Sequence, residues 1–329
     1  MIYIETASFT PSVNLAFEEY FLKYLDMGDD IFMLWRNEPT IVVGRFQNTL
    51  EEINQAYTES NNINVIRRIS GGGAVYHDLG NLCFTFILRN VTPKSADFSK
   101  FTIPVVKALA QMGIRTETSG RNDLTINGKK FSGNAMALHK NQFLFHGTLL
   151  FDSDLEVLGQ VLNVSTDKIE SKGIKSVRSR VTNIKPYIAS GMQIEEFKQT
   201  LKKLILANEK QTEYIPTAED RTAIQKLVET KYLAWEWNFG NNPTSKIRYR
   251  RRYAGGKVEF NFELEKGFIK SCQIKGDFLG LCEIDEVEER LINTRYTADD
   301  VQNVFATIDI QKHFGSITKE EILLCIMGA

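Results

Sequence analysis

The sequence predicts a mixed α/β (α+β) fold: one sheet with helices, assembled largely from adjacent, hairpin-linked strands, followed by a small C-terminal α+β domain. Three observations carry this expectation. Strand-like segments follow one another across short turns, as in residues 123–151, where Asn127-Gly128 and Lys140-Asn141 mark two successive reversals. Helices and strands do not alternate strictly, so a doubly wound parallel sheet is not expected. Finally, Gly240-Asn241-Asn242-Pro243 sets four turn-forming residues in a row. It divides the 329 residues into a larger domain, 1–244, and a smaller one, 245–329.

The elements follow in order. Thr10-Pro11 starts a helix, threonine as cap and proline in the first turn, and Leu15, Phe17, Phe21, Leu22 and Leu25 repeat behind it at helical spacing. Residues 32–35 and 40–43 read as strands, with Asn37-Glu38-Pro39 turning between them. Residues 48–60 read as a polar helix. Val65-Ile66 begins a strand that runs into Gly71-Gly72-Gly73, and residues 82–88 form a further apolar strand. A helix is expected over 99–112. Residues 123–132 form a hairpin, and 143–151 are the return strand of a second. Helices are expected over 154–163, 194–207 and 217–232, with a basic, serine-rich loop at 170–183. Beyond the linker, 247–253, 257–265 and 268–274 read as a small meander, followed by helices near 284–292, 297–305 and 319–327. There is no internal repeat.

Composition excludes several classes of function. Forty basic residues against 41 acidic ones give a net charge of −1, without the basic surplus that non-specific nucleic-acid binding requires. Cys83, Cys272, Cys282 and Cys325 form no C-x-x-C pair, and the four histidines lack metal-ligand spacing, so neither a disulfide framework nor a zinc knuckle is expected. Residues 1–30 carry no basic-then-apolar leader, and no apolar run approaches membrane-spanning length. A cytoplasmic protein, free of membrane and nucleic acid, follows as the expectation. The 21 Phe and 11 Tyr suffice for a core and a lined pocket.

Four stretches have the composition of a site. In Arg67-Arg68-Ile69-Ser70-Gly71-Gly72-Gly73-Ala74-Val75-Tyr76-His77-Asp78, three glycines follow a strand, so a ligand can approach the backbone with no Cβ in the way. Their N–H groups suit phosphate oxygens. The spacing is neither Walker A nor G-x-G-x-x-G, and the residues alone leave a flexible turn and an anion-binding loop both open. In Gly128-Lys129-Lys130-Phe131-Ser132-Gly133-Asn134-Ala135, strand alternation points Lys129 and Lys130 to opposite faces. An inward lysine is costly to bury unless an anion neutralises it; two solvated turn lysines are the plain alternative. His146, in Phe145-His146-Gly147-Thr148-Leu149, taken alone reads more readily as a satisfied core histidine than as a catalytic one. The basic loop of Lys172, Gly173, Lys175, Ser176, Val177, Arg178 and Arg180 is either solvated or folds over a nucleotide's phosphates. The Lys246, Arg248, Arg250, Arg251, Arg252 run reads as the charged face of a strand.

Together with Asn14-Leu15-Ala16-Phe17-Glu18-Glu19, Leu34-Trp35-Arg36-Asn37, Val43-Gly44-Arg45-Phe46-Gln47-Asn48, Gly120-Arg121-Asn122-Asp123 and Trp235-Glu236-Trp237-Asn238-Phe239-Gly240, these stretches resemble the lipoate–protein ligases nearly end to end. The resemblance implies a biotin-ligase/class II synthetase-like sheet and a small C-terminal accessory domain. It implies an ATP-dependent enzyme that adenylates lipoate, with Mg2+ on the triphosphate, and passes lipoyl to a lysine of an acceptor: the E2 subunits of 2-oxoacid dehydrogenases and the glycine-cleavage H protein. It further implies that Lys130 is the essential lysine. The adenylate would lie against Arg68, Gly71, Gly72, Gly73, Ala74, His77, Asn122, Asp123 and Ala135, with Asp123 toward the metal. The lipoyl group would lie against Glu18, Trp35, Arg68, Gly73, His146 and Thr148, and the loop with Lys172, Gly173, Ser176, Val177, Arg178 and Arg180 would close on the adenylate. A monomer is expected.

Two other readings are weighed against this one. Relatives that work without ATP transfer an octanoyl or lipoyl group through a cysteine thioester. Here Cys83 is the only cysteine before residue 272, and an apolar strand suits it as a packing thiol. A non-catalytic lipoate- or adenylate-binding protein would have no use for Lys130.

Overall fold

The computed structural model describes residues 1–90, 98–119, 122–162, 180–188, 191–207, 209, 212–240, 245–278, 280, 282 and 284–328. The chain forms two units. One comprises Met1–Arg45 and Ile63–Ala234, the other Phe46–Asn62 and Trp235–Ala329. The second unit thus gathers a segment of the N-terminal half to the C-terminal residues.

The first unit opens with β1 (Ile2–Glu5), α1 (Pro11–Lys23), β2 (Ile31–Trp35) and β3 (Thr40–Val43). Proline stands at the start of α1 as the sequence predicts. After the segment 46–62 come β4 (Asn64–Arg67), β5 (Val75–His77), β6 (Asn81–Arg89), β7 (Glu117–Ser119), β8 (Asp123–Ile126), β9 (Lys129–His139), β10 (Gln142–Leu150) and β11 (Thr212–Tyr214). An eight-stranded sheet runs in the order β11-β1-β2-β6-β10-β9-β8-β7. Only the β11-β1 and β1-β2 pairings are parallel; the rest are antiparallel, so the sheet is mixed. The β8–β9 hairpin turns at Asn127 (φ 51°) and Gly128 (φ 74°), the left-handed pair that a type I′ turn requires.

Alternation along these strands sorts the residues into two layers. Phe32 and Leu34 of β2, Phe84 and Phe86 of β6, and Phe143 and Phe145 of β10 enter a core with Val105, Ala108 and Leu109 of the helix Phe98–Gln111 and with Phe197 and Leu201 of the helix Ile194–Ile205. Their strand neighbours Trp35, Cys83, Thr85, His146 and Thr148 face the other way. In register, Trp35 stands beside Cys83 and Cys83 beside Thr148, while Thr85 stands between Met33 and His146. A three-stranded sheet, β4-β3-β5, lies in the same unit, and the loop from β4 to β5 carries the three glycines.

In the second unit, Ser245–Tyr253, Gly256–Glu265 and Phe268–Gly276 form an antiparallel meander (β12, β13, β14). Val258, Phe260, Phe262 and Leu264 of β13 pack with Val287, Leu291, Val301, Phe305 and Ile322 from the helices that follow. Lys246, Arg248 and Arg250 are exposed and Ile247 is buried between them, the charged strand face expected from alternation.

Some elements differ from the sequence reading. Residues 48–60 form two short helices, Thr49–Glu52 and Gln55–Ser60, because Ile53 is buried and extended and Asn54 caps the second helix by accepting from Tyr57 N at 3.2 Å. The helix Ala218–Leu227, fixed by a Thr217/Asp220 capping box, widens into a π-helical turn at Val228–Tyr232. Four short strands, β1, β5, β7 and β11, and the helix Ile310–Phe314 were not anticipated. Most of the 170–183 loop, including Lys172, Gly173, Ser176, Val177 and Arg178, lies outside the described residues, as do Arg121 and the linker residues Asn241, Asn242 and Pro243.

Candidate active site

A cavity of about 600 Å³, open mouth included, lies in the first unit. Three segments form most of its wall: the β4–β5 loop through Arg68, Gly72, Gly73 and Ala74, continued by His77 at the end of β5; β9 through Lys130, Gly133, Asn134 and Ala135; and β10 through His146, Gly147 and Thr148. Asn122, Trp35, Cys83, Leu15, Val42 and Val75 complete it. Of the residues singled out in the sequence, Gly71, Glu18 and Asp123 stand just outside this wall, each in contact with a residue that is part of it.

Arg68 shapes the glycine loop. Its Nη1 donates to the carbonyl of Val42 at 2.9 Å, and its Nη2 to the carbonyls of Gly71 and Gly73 at 2.6 and 2.9 Å. Burial pushes this guanidinium down to about 10, against the opposing pull of the Glu18 charge. Gly72 has φ +94°, and a Cβ there would lie 3.0 Å from Arg68 Nη2, so glycine is required at this turn. At Gly73 a Cβ would meet nothing within 4 Å; the space is open to a ligand.

Lys130 enters the cavity from β9. Its Nζ lies 2.8 Å from Asp123 Oδ1. Its backbone is clamped on the far edge, donating to Arg180 O at 2.8 Å and accepting from Thr182 N at 2.9 Å. Lys129 is exposed and takes no part in the wall. A register slip in the β8–β9 ladder, between Leu124 and Thr125, leaves Phe131 unmatched. It puts Lys130 and Gly133 on the same cavity, where strict alternation would part them. The lysine side chain crosses Gly133 so closely that a Cβ there would come within 2.9 Å of Nζ. Asn122 and Asn134 tie β8 to β9 by exchanging side-chain-to-carbonyl hydrogen bonds of 2.6 and 2.8 Å.

Opposite the glycine loop the wall is held by buried polar side chains. Glu18, on α1, meets His146 Nδ1 at 3.0 and 3.1 Å. His77 is buried, 3.1 Å from Asn37 Nδ2, and burial with the neighbouring Arg68 and His146 holds its imidazole down to about 3, hence neutral. Cys83 lines the cavity 3.7 Å from His77 Nδ1, but burial and the Glu18 charge push its thiol well up, which keeps it out of the thiolate form a nucleophile needs. Sequence reasoning passed over Ser70, Thr85, Asn37, Gly133 and Asn134 as site residues. Asn37, Ser70, Gly133 and Asn134 sit inside the motifs given above; Thr85, in a run of apolar strand residues, gives no signal.

Among the described residues, no three His, Cys, Asp or Glu side chains converge as a metal cage. The donor set instead fits a hard cation delivered on phosphates, which needs only one or two protein carboxylates, and Asp123 supplies one beside Lys130.

A glycine loop and a lysine facing one cavity, walled by polar and apolar side chains together, suit an acid-activating ligase. Residues 10–205 match the lipoyl protein ligase A/B catalytic domain, and residues 242–326 match the bacterial lipoate protein ligase C-terminus. The chain belongs to the lipoate–protein ligase family. It is 42% identical over 327 residues to the lipoate-protein ligase LplJ of Bacillus subtilis (strain 168), covering 98% of this chain and 99% of that one. Among solved structures, the bi-partite lipoate protein ligase of Thermoplasma acidophilum, described with its E2 lipoyl domain, aligns with a TM-score of 0.65 at 30% identity, over 74% of this chain and 97% of that one. A lipoate-protein ligase A bound with ATP aligns at 0.63 and 27% identity, over 73% and 98%.

Proposed function

We infer that this protein is an ATP-dependent lipoate–protein ligase, which activates free lipoate as lipoyl-AMP and then transfers the lipoyl group to the ε-amine of a lysine on an acceptor protein. The observation that carries the reading is Lys130 standing in one cavity with the glycine loop, within a chain matched over nearly its whole length by ligases of this kind. The chemistry asks for this pairing. A carboxylate is a poor acyl donor, and AMP makes it a mixed anhydride with a good leaving group. Forming that anhydride drives an anionic carboxylate against an anionic phosphate. A lysine between them relieves the repulsion and stabilises the charge that develops on phosphate oxygens.

In this assignment Arg68, Gly71, Gly72, Gly73, Ala74, His77, Asn122 and Ala135 contact the adenylate, while Trp35, His146 and Thr148, with Glu18 behind them, receive the lipoyl chain. Asp123 would hold Mg2+, which assists pyrophosphate departure when bound. The acceptors are E2 lipoyl domains and the H protein, whose lysine amine attacks the carbonyl without an enzyme nucleophile. The cytoplasm is the proposed place of work. Residues 245–329 serve as the accessory domain.

The test is ATP–pyrophosphate exchange with and without lipoate, followed by mass analysis of an apo lipoyl domain. Exchange that depends on lipoate and a lipoyl mass gain that depends on ATP are expected. ATP-free acyl transfer from a carrier donor, abolished by Cys83→Ala, would replace the ligase by a thioester transferase.

A further inference from the structure

Thr85 lies on β6 with no exposed surface, and no motif singled it out. Its Oγ1 accepts the indole Nε1–H of Trp35 at 2.9 Å and donates to Glu18 Oε1. From Glu18 the chain of contacts continues through His146 Nδ1 to His146 Nε2, which meets Ser70 Oγ at 2.7 Å. Ser70 Oγ accepts from Arg68 Nε at 2.9 Å, and Arg68 holds the Gly71 and Gly73 carbonyls. Buried side chains therefore connect the indole on one wall of the cavity to the glycine loop on another.

The donor inventory fixes the bonds made by Arg68, Trp35 and Glu18, which only donate or only accept. A guanidinium only donates, so Ser70 accepts from it and keeps its own hydrogen to offer to His146 Nε2. The tautomer with its hydrogen on Nδ1 lets His146 accept from Ser70 and donate to Glu18. An indole also only donates, so Thr85 accepts from Trp35 and gives its hydrogen to Glu18. Both arms run toward the one carboxylate, Thr85 relaying one and Ser70 with His146 the other.

We propose that Thr85 and Ser70 are positioning residues for lipoate activation: Thr85 fixes the plane of Trp35 against the acyl chain, and Ser70 fixes the Arg68 that shapes the nucleotide loop. The proposal rests on the ligase reading and adds to it that lipoate and ATP bind with linked affinities. A network of buried, hydrogen-bonded side chains favours one arrangement, so ordering either end favours the other, and the linkage is reciprocal.

The experiment compares Thr85→Val, Thr85→Ser and Trp35→Phe with the wild-type full chain. Valine keeps the shape of threonine and removes both bonds, leaving the indole N–H without its acceptor. Thr85→Val should raise the KM for lipoate about tenfold as the indole loses its fixed plane against the acyl chain, with kcat for exchange changed less than about threefold. Calorimetric titration should show lipoate's effect on ATP affinity reduced toward none. Thr85→Ser, which keeps the hydroxyl, should restore both. An unchanged KM in Thr85→Val, a serine variant as impaired as the valine, or a loss confined to kcat would overturn the proposal. If Thr85→Val does not fold, Trp35→Phe reads the same bond from the other side, and an unchanged lipoate KM there overturns it equally. Failure of the ligase reading is separable, because the wild type would then show no lipoate-dependent exchange.

Discussion

Replacing Lys130 with alanine isolates a single charge. Its Nζ lines the cavity 2.8 Å from Asp123 Oδ1, and the two side chains keep 37% and 34% of their surface open. A pair so exposed contributes about 0–1 kcal/mol to stability, so the melting temperature should move by no more than about 4 °C. The effect on rate is far larger. As carboxylate and phosphate close on one another, charge gathers on oxygens that the ammonium faces, and losing one such donor costs roughly 10²–10³ in rate, about 2.7–4 kcal/mol. Lys130→Ala should therefore fold and melt nearly as the wild type and adenylate lipoate about 10²–10³ times more slowly. Lys129→Ala is the control, since Lys129 is exposed and outside the wall. A surface change of that kind stays within about 0.5 kcal/mol, roughly twofold. Lipoate-dependent pyrophosphate exchange and a melting curve on both variants decide the matter. Equal losses from the two substitutions, or a full rate in Lys130→Ala, would refute the reasoning.

Other substitutions probe the loop, the thiol and the buried imidazole. Gly72→Val forces a branched residue to φ +94° with its Cβ 3.0 Å from Arg68 Nη2, so binding of a non-hydrolysable lipoyl-adenylate analogue should fall at least tenfold by calorimetry; unchanged affinity in a folded variant counts against the loop. Gly73→Ala meets no protein atom within 4 Å, so its melting temperature should hold, and any loss of adenylate affinity reports on the ligand alone. Cys83→Ala should cost about 1 kcal/mol of stability and leave ATP-dependent lipoylation intact, measured by mass gain on the acceptor. His77, held at about 3 in the fold against 6.5 unfolded, is a base whose protonation folding opposes. The unfolded chain binds the extra proton between those values, so His77's contribution is full above pH 6.5 and is lost as pH falls toward 3. Melting temperature against pH should therefore drop less steeply over that window in His77→Gln than in the wild type, and parallel curves would contradict the assignment.

The hairpins were legible in the sequence because their turns are chemically explicit: Asn127 and Gly128 both take positive φ, which few residues do without strain. The meander of the second unit was legible through Lys246, Arg248 and Arg250 alternating with buried Ile247. The strands Val75–His77, Glu117–Ser119 and Thr212–Tyr214 were not, since three residues are too few to display a period. Each is a strand only because a neighbour supplies its hydrogen bonds. The break in 48–60 was missed for a related reason: an asparagine inside a polar run looks the same whether it caps a helix or lies within one.

Within the site, what could be read was what carries charge or lacks a side chain. Lys130, Arg68 and the three glycines are unusual at their positions, and His146 stands out in an apolar strand. What joins them could not be read. Arg68 and Glu18 are both buried, and among the described residues neither touches a formal opposite charge from Lys, Arg, Asp or Glu; Ser70 and His146 stand between them. Bringing the two into direct contact would gain Coulomb energy, but it would aim both charges at each other and away from the cavity. With Ser70 and His146 between them, the guanidinium stays on the glycine loop and the carboxylate meets the hydroxyl that holds the indole, each held by hydrogen bonds. Such an arrangement is costly to break from either end, because removing one member strands a buried polar group at the next. A threonine or serine that completes it is, in the sequence, indistinguishable from the β-branched or small residues any strand or turn prefers. The hydroxyl acquires its role only when distant parts of the chain meet around it: β2, β6 and α1 at Thr85, the β4–β5 loop and β10 at Ser70.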